Sequence, residues 1–492
     1  MNNDTFLDNK PILKLDEEND LFGNLEKVKF LKTFLEENIE YISKNNMLVL
    51  YGNWGSGKTT MFYAIKKRIN PDLYFPIIFN AWRCERDGNL AYSLYEFLLD
   101  QLEIDGAELK KAREIGKAVL KGALKSVNLI EKIIEAYEEN LDKKGEVTIY
   151  KKISDFEEMF NKIIKEFYSK TNRYLLIFID ELDRCEPLAI LNLLSSIKIL
   201  LTLGRESTLE QDKSKIMFLC GVDRNAVTKA VDIQFKDKIK AEEYLEKIFD
   251  ISFNMPIRYE TKTLLEKYFG KHSDAIAKFI NYINFYNPRH LKKIINKYLI
   301  LSQIKRNKDS KYSEFIPNII MGEKGYLFDT IMVLYFIILY EFYNDKFYEI
   351  KNYDEKISNY INYLVGDRQN QRAIENIKNQ INEVFKIKNK KDFLLLKNIS
   401  NSELMNIKGD ENPKRLFQFI NFFTPKIYTT FTMDLSDISY YDQFEYEGNE
   451  ILINFCKYLF EHIVELAMEP EERKEMNDYN LNKLFEMSEI LL

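Results

Sequence analysis

LVLYGNWGSGKTT, Leu48 to Thr60, is an apolar run that breaks into three glycines and ends on a lysine and two threonines. Met47 to Tyr51 reads as a short buried strand, and a helix is expected from about Lys58 to Arg68, with Pro71 marking its end. Between them GNWGSGKT, Gly52 to Thr59, fits G-x-x-x-x-G-K-[ST] in the strand-to-helix context that gives the string a mechanism. Gly52, Gly55 and Gly57 let the backbone curl so that several N–H groups converge on one concavity, which suits a phosphate chain. Lys58 is placed to meet β- and γ-phosphates, and the Thr59 hydroxyl to complete the shell of a Mg²⁺ that they hold. Gly52, Asn53, Trp54, Gly55, Ser56, Gly57, Lys58, Thr59 and Thr60 are therefore the candidate nucleotide-binding residues. The plain alternative, a glycine turn with an incidental lysine, is disfavoured by the flanking strand and helix.

YLLIFIDELDRCEP, Tyr174 to Pro187, supplies a partner for that corner: an apolar strand whose C-terminal end carries Asp180 and Glu181. Ligands of open α/β sheets bind at that edge. Asp180 is read as the Mg²⁺ carboxylate, acting through the water shell, and Glu181 as the group that orients or deprotonates the attacking water. Asp183 and Arg184 either bind each other, or Arg184 faces a neighbouring subunit's phosphate. KIMFLCGVDR, Lys215 to Arg224, is another buried strand, after which Asp223 and Arg224 lie near the γ-phosphate or form an N-cap with an exposed arginine; both readings stay open. Arg289 opens a helix, where a cation gains nothing from the dipole, so it is either a lid residue reaching nucleotide or a solvated first-turn side chain. His290 beside it is expected at the surface. The basic run Arg289 to Lys297 is read first as a solvated helix face and second as a nucleic-acid contact.

Further strands are expected at Tyr74–Phe79 and Ile251–Met255, with helices at Asn89–Leu102, Phe156–Tyr168 and Pro187–Leu203. Apolar strands alternating with helices imply parallel β-strands joined by crossovers, hence an α/β class. The chain of 492 residues is long for one core, and 46% hydrophobic with 30% charged residues is a globular balance. Its net charge of -6 announces no polyanion partner. Four scattered cysteines and three histidines argue against a zinc site or a disulfide framework and fit a reducing cytoplasm. The N-terminus lacks the pattern of a signal peptide. IMVLYFIILY, Ile331 to Tyr340, is bracketed by Asp329 and Glu341 and reads as a buried helix, so no membrane insertion is expected. The organisation expected is a leader at 1–19, a nucleotide-binding domain at 20–305 with a charged helical insertion at about 105–147, and a mainly helical interaction region at 306–492.

Taken in order, GNWGSGKTT, FNAWR (Phe79 to Arg83), IDELDRCEP, CGVDR, YLEKIFDISFNMP (Tyr244 to Pro256) and NPRHLKKIIN (Asn287 to Asn296) resemble the KAP P-loop NTPases over about residues 20 to 305. The resemblance implies an ATPase of the additional-strand class, related to STAND and AAA proteins, with the acidic strand between the loop strand and its neighbour. It also implies a homo-oligomer assembled around nucleotide. Family members often carry transmembrane helices ahead of the acidic strand, where this chain has the charged insertion. Glu181 stands where an aspartate pair is commoner in the family, and glutamate keeps the carboxylate. Bacterial members often act in phage exclusion or other defence as the nucleotide-driven part of a larger system. The expectation is thus a Mg²⁺-dependent ATPase whose ATP state sets assembly and the grip on a protein partner. The alternatives are a nucleotide-dependent scaffold with negligible hydrolysis and a nucleic-acid-stimulated motor.

Overall fold

The computed structural model describes residues 5–85, 89–102, 106–122, 146–198, 214–235, 238–307, 309–322, 324–348, 351, 451, 454–455, 458 and 481–492. The chain divides into two compact units, Lys10–Tyr259 and Met1–Asn9 with Glu260–Leu492. The expected leader, 1–19, is divided between the two units.

Within Lys10–Tyr259, the strands β1 (Met47–Tyr51), β2 (Tyr74–Asn80), β3 (Tyr174–Asp180), β4 (Ile216–Val222) and β5 (Ile251–Asn254) form one sheet. The order is β2-β3-β4-β1-β5 and every neighbouring pair is parallel. Successive strand residues face opposite layers. Met47, Val49, Ile177, Ile179 and Phe218 join helices Leu90–Gln101, Glu146–Thr171 and Pro187–Ser196 in one core. Leu48, Leu50, Leu176, Phe178 and Leu219 join helices Asn24–Glu37 and Lys58–Arg68 in the other. Burial on both faces is the reason these strands read as unbroken apolar runs. Each fully buried Leu, Ile or Phe contributes about 1.5–3 kcal/mol.

The strand order corrects one expectation. The acidic strand β3 does not lie between the loop strand and its neighbour; β4 lies between β1 and β3, and β1 is flanked by β4 and β5. The crossover after β1 carries the chain to the far edge as β2, β3 pairs back against β2, and β4 closes the gap. Two strand spacings, roughly 9–10 Å, therefore separate β1 from β3. In-register pairs Asn80 with Asp180 and Tyr51 with Val222 bring the C-terminal ends of four strands to one edge.

The described first part of the insertion packs onto this unit. Its helix Gly106–Gly116 buries Ala112, whose carbonyl accepts from the Tyr95 hydroxyl at 3.1 Å, and Arg113 pairs with Glu96 at 2.9 Å and Asp100 at 2.6 Å. Residues 123–145 lie outside the described residues.

In the other unit the described helices include Lys262–Phe269, Ser273–Tyr282, Pro288–Arg306, Leu327–Phe342 and Leu481–Leu491. Leu327–Phe342 is buried from Phe328 to Leu339, as its sequence implies. Among the described residues no helix is long and apolar enough to cross a membrane. The leader contributes to this unit through Leu7, whose N–H donates to Asn296 Oδ1 at 2.7 Å and whose carbonyl accepts from Asn296 Nδ2 at 2.8 Å. His290 is only partly exposed: its half-buried ring lies 4.2 Å from that of Phe342, and burial lowers its pKa. The basic run is likewise engaged within the unit, with Lys293 and Lys297 both on Glu341 and Lys292 donating to the Asp8 carbonyl. Most of the expected interaction region, together with Cys456, lies outside the described residues.

Candidate functional site

The loop between β1 and the Lys58–Arg68 helix takes its shape from its glycines. Gly57 caps the helix at φ 100°, and Gly55 sits at φ 83°, conformations strained for any L side chain. Gly52 answers a different need: a Cβ there would come within 2.6 Å of both Met255 Cγ and Ser56 Oγ. The first-turn N–H groups of the helix add the donors that such a turn leaves without helical partners.

Lys58 is buried across the mouth of the loop. Its Nζ donates to the Gly52 carbonyl at 2.7 Å and the Asn53 carbonyl at 3.4 Å, and meets Asp183 Oδ2 at 3.2 Å. Both side chains of that ion pair are only 7% exposed. Asp183 therefore does not pair with its neighbour Arg184, because a short 3-10 turn at Leu182–Arg184 sends the two side chains apart. Arg184 instead meets Glu181 Oε1 at 2.9 Å and lies 4.9 Å above the Trp82 ring.

Thr59 and Asp180 come together as the sequence implies, with Thr59 Oγ1 donating to Asp180 Oδ1 at 3.1 Å. Asp180 is 3% exposed. Burial pushes its carboxyl up to about 6, against the hydrogen bonds from Thr59 and from the Glu181 N–H that favour the charged form. Glu181 adopts a left-handed backbone at φ 57°, uncommon for a residue with a side chain, and its Oε2 accepts from Asn80 Nδ2 at 2.8 Å. The candidate general base is thus held from two sides, by an amide and by a guanidinium.

The remaining candidates divide. Asp223 Oδ2 accepts from the Trp54 N–H at 3.1 Å and its Oδ1 from the Asn225 N–H at 3.0 Å, so it caps its own helix and fixes the loop at once. Arg224 lies 5.5 Å from the centre of the Tyr51 ring. Thr60 is buried, and its hydroxyl accepts from the Ile12 N–H at 3.1 Å, which assigns it to holding the leader. Ser56 Oγ is buried with no hydrogen-bond partner, whereas Trp54 is 50% exposed at the tip of the loop. Arg289 belongs to the other unit, where its N–H donates to the Asn287 cap at 3.0 Å.

The residues present fit a nucleoside triphosphate with Mg²⁺. The glycine turn and Lys58 suit phosphates, and a hydroxyl beside a carboxylate is a hard-oxygen pair of the kind Mg²⁺ takes, with Asp180 uncomfortable as a lone buried anion. A bound Mg²⁺ neutralises phosphate charge. Thr59 and Asp180 would hold it, Lys58 would orient the phosphate chain, and Glu181 would accept a proton from water.

Three residues escaped the sequence reading: Asn80, Trp82 and Tyr259, whose hydroxyl donates to the Ser56 carbonyl at 2.8 Å. Asn80 and Trp82 lie inside the FNAWR string, and the in-register pairing of Asn80 with Asp180 explains their place at the site. Asp183 carried a signal, a third acid in IDELD, but its partner was not readable from neighbours in the chain.

Residues 32–304 match the model of the KAP family P-loop domain. The uncharacterized protein MJ0181 of Methanocaldococcus jannaschii is 51% identical over 119 residues, which are 22% of this chain and 48% of that protein. The chain thus spans about half the length of that relative. A second protein of the same archaeon, MJ0182, is 31% identical over 197 residues, 31% of this chain and 98% of its own length. With the parallel sheet, the glycine loop and the acidic strand end in place, the family match covers more than half of the sequence, and the chain belongs to the KAP family of P-loop NTPases.

Proposed function

We propose that this chain is a Mg²⁺-dependent ATPase whose nucleotide state sets its self-assembly and its grip on a protein partner. The observation that carries the reading is the Thr59–Asp180 contact beside Lys58, a metal pair next to a phosphate lysine at one sheet edge. Glu181 at the same edge provides a base. Purified protein should release phosphate from ATP in Mg²⁺, and Lys58→Ala should abolish both ATP binding and release. Turnover that survives that change unaltered would sink the reading.

A second reading, a nucleotide-dependent scaffold with negligible hydrolysis, is favoured by the double hold of Asn80 and Arg184 on Glu181. Glu181→Gln separates the two, because it should stop an ATPase and leave a scaffold's nucleotide-dependent assembly intact. The pairing of Lys293 and Lys297 with Glu341 weighs against the motor reading. The two archaeal relatives lend no support to a bacterial defence setting.

A further inference from the structure

The back of the phosphate loop is held by one short segment that the proposed chemistry does not use. After β5, the Met255 N–H donates to the Tyr51 carbonyl at 2.6 Å, and the Met255 side chain fills the space that keeps residue 52 a glycine. Four residues later the Tyr259 hydroxyl reaches the Ser56 carbonyl at 2.8 Å, with its ring set edge-on to Phe22 at 6.1 Å.

That carbonyl belongs to the same peptide plane as the Gly57 N–H. In a trans peptide the two point in opposite directions, so fixing the Ser56 oxygen toward Tyr259 aims the Gly57 N–H away from Tyr259. The plane needs a fixing group. Gly57 tolerates either sign of φ, so nothing in its own sterics prevents this peptide from turning over. Ser56 Oγ, buried and without a hydrogen-bond partner, does not supply the restraint.

We propose that Tyr259 is a positioning residue for phosphate recognition: its hydroxyl locks the Ser56–Gly57 peptide in the orientation that presents the Gly57 N–H to the nucleotide. Tyr259 is also the last residue of its compact unit, so nucleotide seated on the loop restrains the chain just before Glu260. Arg258, exposed beside the 87% exposed Ile257, gives trypsin a cleavage site at that point. The inference rests on the nucleotide-binding reading, and its test separates the two.

Equilibrium dialysis of radiolabelled ATP against the full chain should show Tyr259→Phe binding about fivefold more weakly, the effect of one hydrogen bond, at unchanged secondary structure and melting within a few degrees. In steady-state turnover the same variant should raise KM with kcat nearly kept, because the hydroxyl serves bound substrate and transition state alike. ATP should slow tryptic cleavage after Arg258 in the wild type and not in Tyr259→Phe. Phe22→Leu, which loosens the ring and keeps the hydroxyl, should bind ATP within twofold of wild type. Equal affinity and equal protection in wild type and Tyr259→Phe overturn the proposal and leave the nucleotide reading standing. A collapse of Tyr259→Phe folding also overturns it, assigning the hydroxyl to stability. Absence of ATP binding by the wild type overturns both.

Discussion

Asp183→Asn tests whether the buried ion pair at the loop competes with phosphate. The pair lies 3.2 Å apart with both side chains 7% exposed, so bulk water screens it little. At an effective dielectric of about 20 its gross attraction is about 5 kcal/mol. The variant does not lose all of that, because Lys58 keeps its bond to the Gly52 carbonyl at 2.7 Å and asparagine still offers an oxygen. A net destabilisation of about 2–3 kcal/mol remains. For a unit of this size that lowers Tm by roughly 4–12 °C in scanning calorimetry without nucleotide. Nucleotide binding should move the opposite way. Phosphates must draw Lys58 from Asp183 and also meet that carboxylate's charge, so removing the charge should tighten ATP binding roughly tenfold in EDTA, about 1.4 kcal/mol. Saturating ATP should then narrow the Tm gap between variant and wild type, since ligand stabilises both proteins but raises the tighter binder more. An unchanged Tm with an unchanged Kd would refute the reasoning about the pair. Weaker binding would place Asp183 among the groups that serve the bound state.

Asp180→Asn should stabilise the nucleotide-free protein at pH 8 by up to about 3 kcal/mol, since burial lifts the carboxyl from 3.8 to about 6. The folded protein favours the neutral acid, so this advantage of the wild-type residue is complete below about pH 4 and is lost as pH rises through about 6. Melting curves across that range should show the variant and wild type diverging upward, and a constant gap would refute the assignment. Glu341→Gln should destabilise the helical unit by about 1–3 kcal/mol in urea unfolding at pH 7. Burial alone would raise the Glu341 pKa, but Lys293 and Lys297 together hold it below the ordinary value. Its stabilisation is therefore present above about pH 4.5 and lost on acidification, and the variant should lack that loss.

The sequence made the loop, the acidic strand end and the α/β class legible for one physical reason. Strands buried on both faces and a glycine turn at a helix start are local patterns, and Thr59 and Asp180 are each fixed by the element they end or begin. The order β2-β3-β4-β1-β5 was not legible, since crossovers leave no local mark and β4 can enter on either side of β3 without changing its apolar run. Side-chain partners chosen in space rather than along the chain were equally hidden. Asp183 reaches Lys58 instead of Arg184, and His290 turns inward onto Phe342, because the 3-10 turn and the helix face decide the direction. Asn80 was quoted as part of a family string, but only the register of β2 against β3 sets it opposite Asp180.

The chain has two tryptophans, and both flank the site: Trp54 at the tip of the phosphate loop, 50% exposed, and Trp82 beneath the Arg184 guanidinium, 48% exposed. Light at the red edge of protein absorption is therefore absorbed almost wholly by these two side chains. The native molecule carries its own optical reporter, in which Trp54 follows ligand at the loop and Trp82 follows the Arg184 hold on Glu181. Replacing either tryptophan with phenylalanine leaves a single emitter, so the two events can be timed separately in the unlabelled protein.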